Sequence, residues 1–135
     1  MFTIDHLGVA VRSLEQAKVF YRKLGMQVLG EEVVEQERVR LAMIPVGERR
    51  IELLEATSED SPIARFIARR GEGLHHVALQ VEDLAGTLEQ LKKDGVRLIT
   101  EQIQIGAGGH LYIFVHPSST GGVLVELCQD PPSGV

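Results

Sequence analysis

The chain has 135 residues, 44% of them hydrophobic and 24% charged, with a formal net charge of −5. That length supports one ordinary domain with a core of its own, and an acidic chain without a basic run argues against nucleic acid or an anionic membrane surface as the main partner. Scarce aromatics, no tryptophan, a single Cys128 and no bilayer-length apolar run or signal-like start place the expected protein in a reducing, cytoplasmic compartment.

In chain order, residues 2–12 alternate as a strand. Ser13 follows as a candidate N-cap, with Gln16 three residues on as its capping-box partner. Leu14, Ala17, Val19, Phe20 and Leu24 give the next segment a mixed apolar face, and Gly25 would end that helix. Strand-like runs come around 26–36, 39–46 and 49–56. Ser61-Pro62 reads as an N-cap with proline at the first helical position, which starts a connecting helix ended by Gly71. A strand follows at 74–82, then Asp83 as N-cap and a helix to about 93 with Gly95 as stop. Strands near 97–104, 111–116 and 122–129 complete the chain. The expected organisation is one domain over 1–135: module 1 (1–57), a connecting helix (61–70) and module 2 (72–130).

The second half repeats the first. At an offset of 70, His6 meets His76, Val9 and Val11 meet Leu79 and Val81, Ser13-Leu14 meets Asp83-Leu84, and Lys23 and Gly25 meet Lys93 and Gly95. Each half therefore reads β-α-β-β-β. On the first strands, Leu7, Val9, Val11 and Val77, Leu79, Val81 form one apolar face, expected under the helix. The other face carries a histidine followed by small residues: His6, Gly8, Ala10 and His76, Ala78, Gln80. The doublet His75-His76 must split across the two faces. The repeat makes His76 the partner of His6, which leaves His75 structural or capping.

The last strand of each half carries a glutamate in apolar company. RRIELLEA puts Glu52 on one face with Leu54, and GGVLVELC puts Glu126 with Leu124 and Cys128. Their offset is 74, so the second half needs four extra residues, placed in GAGG (106–109). A carboxylate in such a strand either reaches water at a sheet edge, pairs with an arginine, or binds a cation. With one histidine and one glutamate from each half, His6, Glu52, His76 and Glu126 form a candidate divalent-metal set. Four such ligands leave two octahedral positions for a chelating substrate or water. His110 and His116 lie near turns. Arg49-Arg50 and Arg69-Arg70 read as solvated surface charges. Tyr21, Phe20 and Phe66 read as helix-face core.

These features resemble the vicinal oxygen chelate superfamily, whose members include glyoxalase I, extradiol dioxygenases, fosfomycin-resistance proteins and bleomycin-sequestering proteins. IDHLGVAV, DSPIARFIARRGEGLHHVAL and IGAGG…FVHPSSTGGVLVEL are similar in particular to segments of the methylmalonyl-CoA epimerase family, over nearly the whole chain. The resemblance implies an α+β fold: two tandem βαβββ modules whose eight strands form a curved, barrel-like sheet around a metal cleft, helices outside. It implies His6, His76 and Glu126 as metal ligands, with Glu52 at a position that holds glutamine or glutamate in the family. The implied cofactor is a divalent metal ion, Co2+ first, with Mn2+, Zn2+, Ni2+ or Mg2+ as alternatives. The implied partner is methylmalonyl-CoA, and the family expectation is a homodimer.

The implied chemistry is R/S interconversion at C2 by removal and return of one proton. Glu126 is implied as one of two acid–base groups. Basicity beside a cation is reduced, so a water or the other glutamate can carry the proton instead. The second group lies in VEQERV, residues 34–39. Glu37 is the residue nominated, with Glu35 and Gln36 as alternatives, because a one-residue slip along a strand would turn the side chain to the other face. GAGG can offer backbone amides to a ligand or serve as a plain connection. No nucleotide-binding fingerprint marks a CoA site. Two other functions fit the same scaffold: a glyoxalase-I-like isomerase of glutathione hemithioacetals, and a metal-free ligand-sequestering module. An iron dioxygenase fits less well, since such sites use two histidines and one carboxylate.

Overall fold

The computed structural model describes residues 2–131. In chain order its elements are β1 (Thr3–Ala10), α1 (Leu14–Lys23), β2 (Glu31–Val34), β3 (Val39–Val46), β4 (Arg49–Ala56), α2 (Pro62–Arg70), β5 (Gly73–Gln80), α3 (Leu84–Lys93), β6 (Gln104–Ile105), β7 (Leu111–Val115) and β8 (Val125–Gln129). The class is α+β, and the β-α-β-β-β order occurs twice. The chain packs as two compact units: His6–His75, and the described residues of Met1–Asp5 with His76–Val135. No helix among the described residues is long and apolar enough to cross a membrane.

In the unit His6–His75 the strand order is β2-β3-β4-β1. β3 pairs antiparallel with β2 and β4, and β4 pairs parallel with β1. The chain between the parallel strands runs through α1 and the β2–β3 hairpin, the long connection that parallel strands require. The core joins Val11, Leu14, Ala42, Ile44 and Leu53, with Val9, Ala17 and Tyr21 packed against it, so the apolar face of β1 meets α1 along Leu14, Ala17 and Tyr21. Val19, Phe20 and Leu24, expected on that face, lie off this i, i+3, i+7 stripe and are exposed. In the other unit the order is β5-β8-β7-β6 with the same pairing senses. Its core is Val81, Leu84, Leu88, Ile113, Val115 and Leu127.

The helix starts are built alike. Ser13 Oγ accepts from Gln16 N, and Asp83 Oδ1 accepts from Gly86 N. A second side chain reaches each start from the last strand of its unit. Glu55 Oε1 accepts from Leu14 N and Gln129 Oε1 from Leu84 N, both at 2.8 Å. Glu55 and Gln129 each lie three residues beyond the strand glutamate, Glu52 or Glu126. The bond that satisfies an orphan helix N–H thus also ties the helix to the strand that carries the candidate ligand.

Three predicted strands are shorter than expected, the last of them, 122–129, starting only at Val125. Of 26–36, only Glu31–Val34 is strand. Leu29 N reaches Met43 O, but Glu35–Glu37 is a 3-10 turn that closes the β2–β3 hairpin, with Arg38 left-handed at φ 53°. The alternation argument for Glu35, Gln36 and Glu37 therefore does not hold, because a tight hairpin needs turn geometry there. Of 97–104, only Gln104–Ile105 is strand. The stretch before it runs beside β7 but makes no ladder: Ile99 N and Thr100 N both donate to Phe114 O. The extra residues of the second half also sit elsewhere than GAGG for the most part. Met43 pairs with Glu52 nine residues on, whereas Phe114 pairs with Glu126 twelve residues on. Three of the four extra residues therefore lie between β7 and β8, around the 3-10 turn Pro117–Ser119.

Lys18 on α1 is buried, and its ammonium donates to Glu31 Oε2 at 2.5 Å and to Glu15 Oε1 at 3.2 Å. The hydrogen bond to Glu31 raises the Lys18 pKa above 10.5, and the same bond lowers that of Glu31 below 4.5. Glu31→Gln is expected to lower stability near pH 7 by about 1 kcal/mol, a charged hydrogen bond discounted for the one-third exposure of Glu31. A depressed carboxylate stabilises above its unfolded pKa, and that contribution is lost as pH falls through the folded pKa. The gap between variant and wild type in urea unfolding should therefore narrow as pH drops below 4.5. A gap independent of pH would rule the ion pair out as its source.

Candidate active site

Each unit sets one histidine against one glutamate. In His6–His75, β1 pairs parallel with β4 so that Gly8 stands opposite Glu52 and His6 opposite Arg50. His6 is 3% exposed and Glu52 6%. His6 Nε2 lies 3.4 Å from Glu52 Oε1. In the other unit, β5 pairs parallel with β8 so that Ala78 stands opposite Glu126. His76 and Glu126 are similarly buried, and His76 Nε2 lies 3.1 Å from Glu126 Oε1. In both, the histidine precedes by two residues the small residue that faces the glutamate. Period-2 alternation then puts histidine and carboxylate on one face.

The surroundings of the two pairs differ. The His76 ring meets Phe114 edge-on, with centroids 5.6 Å apart, and Phe114 in turn meets Tyr112. At the other pair the neighbour is charged. Arg50 Nε donates to Glu52 Oε2 at 2.9 Å, and Arg50 Nη2 lies 3.4 Å from His6 Nδ1. Arg50 was expected as a solvated surface charge; its side chain is instead 21% exposed and engaged with two candidate ligands. Strand parity carried that signal, since Arg50 shares a face with Glu52 and Leu54.

Both pairs offer a borderline nitrogen and a hard oxygen, the donor types that divalent transition ions accept. The residues present therefore fit a divalent ion chemically. Buried carboxylates in apolar strands also need a positive partner.

The remaining histidines do other work. His75, facing away from His76, packs its ring edge-on to Phe66 of α2 with centroids 5.0 Å apart. His116 Nδ1 accepts from Ser118 N and caps the 3-10 turn that follows. His110 Nδ1 lies 3.3 Å from Asp130 Oδ1, and these two with buried Asp5 form a second group of possible ligands that sequence reasoning did not foresee. In GAGG, Gly106 N bonds back to His110 O, and a Cβ on Gly106 would come 2.9 Å from the Tyr112 ring. Glycine at 106 thus answers a close approach within the loop. Of the acid–base candidates in the β2–β3 turn, Glu37 is half-buried while Glu35 and Gln36 are exposed. A cavity of about 430 Å³ lined by Val11, Arg12, Ala56, Ala64, Ile67 and Ala68 contains none of the nominated residues.

This chain belongs to the glyoxalase/bleomycin resistance protein/dioxygenase superfamily, whose family profile matches residues 5–114. Within it the similarity is to the methylmalonyl-CoA epimerase family. The human mitochondrial methylmalonyl-CoA epimerase is 38% identical over 128 residues, 93% of this chain and 73% of that protein. The ethylmalonyl-CoA/methylmalonyl-CoA epimerase of Cereibacter sphaeroides is 36% identical over 129 residues, 93% of this chain and 96% of that one. A variant of the Streptomyces coelicolor methylmalonyl-CoA epimerase, solved with 2-nitronate-propionyl-CoA, matches with a TM-score of 0.90 and 35% identity over 95% of this chain and 94% of that chain. The resemblance carried by the sequence segments is borne out, and the enzyme class is isomerase, of the epimerase type.

Proposed function

We propose that this enzyme interconverts the C2 epimers of methylmalonyl-CoA, with His6, Glu52, His76 and Glu126 as ligands of one divalent ion. The observation that carries the reading is the duplicated pair: each unit sets a buried histidine beside a buried strand glutamate, at positions related by the internal repeat. Membership of the family supports the substrate. Two imidazoles and two carboxylates suit cobalt, manganese, zinc, nickel or magnesium, and cobalt is the ion of choice for the test. Bound there, a divalent ion would supply Lewis-acid stabilisation of negative charge on the substrate oxygens.

The protein's own task is to move one proton. A base takes the proton from C2, the C–H electron pair passes to the thioester oxygen, and an acid on the opposite side of C2 returns a proton to form the new C–H bond. Glu126 is one of these groups. The other comes from the β2–β3 turn, where Glu37 is favoured over the exposed Glu35 and Gln36 by its partial burial, since a group that exchanges a proton with C2 works best where bulk water is held off.

The test is deuterium incorporation. One epimer of methylmalonyl-CoA is placed in D2O with cobalt-loaded protein, beside an EDTA-treated control, and NMR follows the C2 proton. Metal-dependent exchange with appearance of the other epimer is the expected result. No exchange with folded, cobalt-loaded protein would overturn the substrate, and turnover of the hemithioacetal of methylglyoxal and glutathione would replace it.

A further inference from the structure

We infer that Arg50 occupies the cation's place at the His6–Glu52 pair in the metal-free enzyme, and that an ion binding this pair must displace it from His6. The inference rests on the metal reading above. A guanidinium has donors and no acceptor. Its Nε donates to Glu52 Oε2 at 2.9 Å, and its Nη2 faces His6 Nδ1 at 3.4 Å. A neutral ring that accepts at Nδ1 carries its proton on Nε2. That Nε2 faces Glu52 Oε1 at 3.4 Å. Arginine, histidine and glutamate thus form a ring of donors and acceptors in which these three contacts are mutually consistent.

A metal ion requires a different arrangement. A ligating nitrogen must present its lone pair. If Nε2 ligates, the ring proton moves to Nδ1, and two donors then confront each other across the Arg50–His6 contact. If Nδ1 ligates, the guanidinium stands where the ion must be. Either route expels Arg50 from His6. The ion also brings a second positive charge close to the first, which costs affinity as long as Arg50 stays. The repeat supplies the contrast. Arg50 lies two residues before Glu52, and the residue two before Glu126 is Leu124, which has no donor side chain. The His76–Glu126 pair carries no equivalent charge at that position, so the two pairs are unequal toward an incoming cation.

The experiment titrates Co2+ into metal-free wild type, Arg50→Met and Arg50→Lys by calorimetry, with circular dichroism to confirm that each is folded. It also records the imidazole 15N shifts of His6 in the metal-free wild type. The Met variant is expected to bind Co2+ about tenfold or more tightly than wild type, on the Coulomb cost of a neighbouring charge. The Lys variant, which keeps the charge but cannot reach both partners, should lie between them. The metal-free His6 ring is expected as the Nε2–H tautomer. Equal or weaker binding by a folded Met variant would overturn displacement and make Arg50 a support for Glu52, as partners of metal ligands commonly are. A metal-free Nδ1–H tautomer would overturn it as well. Absence of Co2+ binding in all three proteins would instead overturn the metal reading itself, and displacement with it.

Discussion

Glu126→Gln is expected to slow exchange of the C2 proton by about 10³-fold, within the range set by loss of a general acid–base group, in a protein that stays folded. Glutamine has the shape of glutamate, and its amide oxygen can still accept at the distance of His76 Nε2, 3.1 Å away. The strand around it is held by pairing of Phe114 and Ala78 with residue 126 on either side, which the substitution leaves alone. An amide, however, cannot carry the proton between C2 and solvent. It is also a poorer ligand than a carboxylate. Bound cobalt measured beside the rate separates the two roles. If excess Co2+ restores the rate, Glu126 acts as a ligand only. If metal saturates and the rate stays low, Glu126 moves the proton. A rate within tenfold of wild type would remove Glu126 from both roles.

The helices were legible because their boundaries are written in single residues. Ser13, Asp83 and Ser61 accept the N–H bonds predicted of them, and Pro62 opens α2. Val39–Val46 and Arg49–Ala56 were legible as short apolar-rich runs and form over the predicted bounds, although they do not alternate strictly: Leu41-Ala42 and Glu52–Leu54 are buried at consecutive positions. The segments at 26–36 and 97–104 were legible only in part: Glu31–Val34 and Gln104–Ile105 join the sheet, while the residues before them lean on a neighbouring strand through a few bonds, with a single bridge from Leu98 to Val115 in the second. In one case the demand for a tight turn at Glu35–Glu37 overrode the pattern. In the other, bonds converge on a single carbonyl of Phe114. At the candidate site the repeat and the strand parity pointed to the two histidine–glutamate pairs, His6 with Glu52 and His76 with Glu126, that the structure sets side by side. Arg50 escaped because an arginine doublet at a strand start reads as solvent-facing, although its parity with Glu52 placed it on the ligand face. Glu55 and Gln129 escaped for a different reason. Their bonds to Leu14 and Leu84 join residues more than 40 positions apart, and nothing local in the sequence announces them.

The sharpest test of that register lies in the doublet itself. His76→Ala is expected to reduce Co2+ affinity by at least 10-fold to 100-fold, a lower bound set by what loss of a ligand's supporting partner alone costs, and to bring exchange at C2 to the EDTA baseline. His75→Ala is expected to keep the affinity and most of the rate. Its ring stacks edge-on against Phe66 of α2, so its loss should appear as a drop in stability of about 1 kcal/mol, the usual worth of such an aromatic contact, readable in urea unfolding. The two substitutions remove the same side chain from neighbouring positions of one strand, so composition and charge are matched and only the face differs. His76 faces the carboxylate of Glu126 and His75 faces a helix. If the effects exchange places, with His75→Ala losing metal and His76→Ala losing only stability, the register read from the repeat is off by one residue, and the pairing of His6 with His76 falls with it.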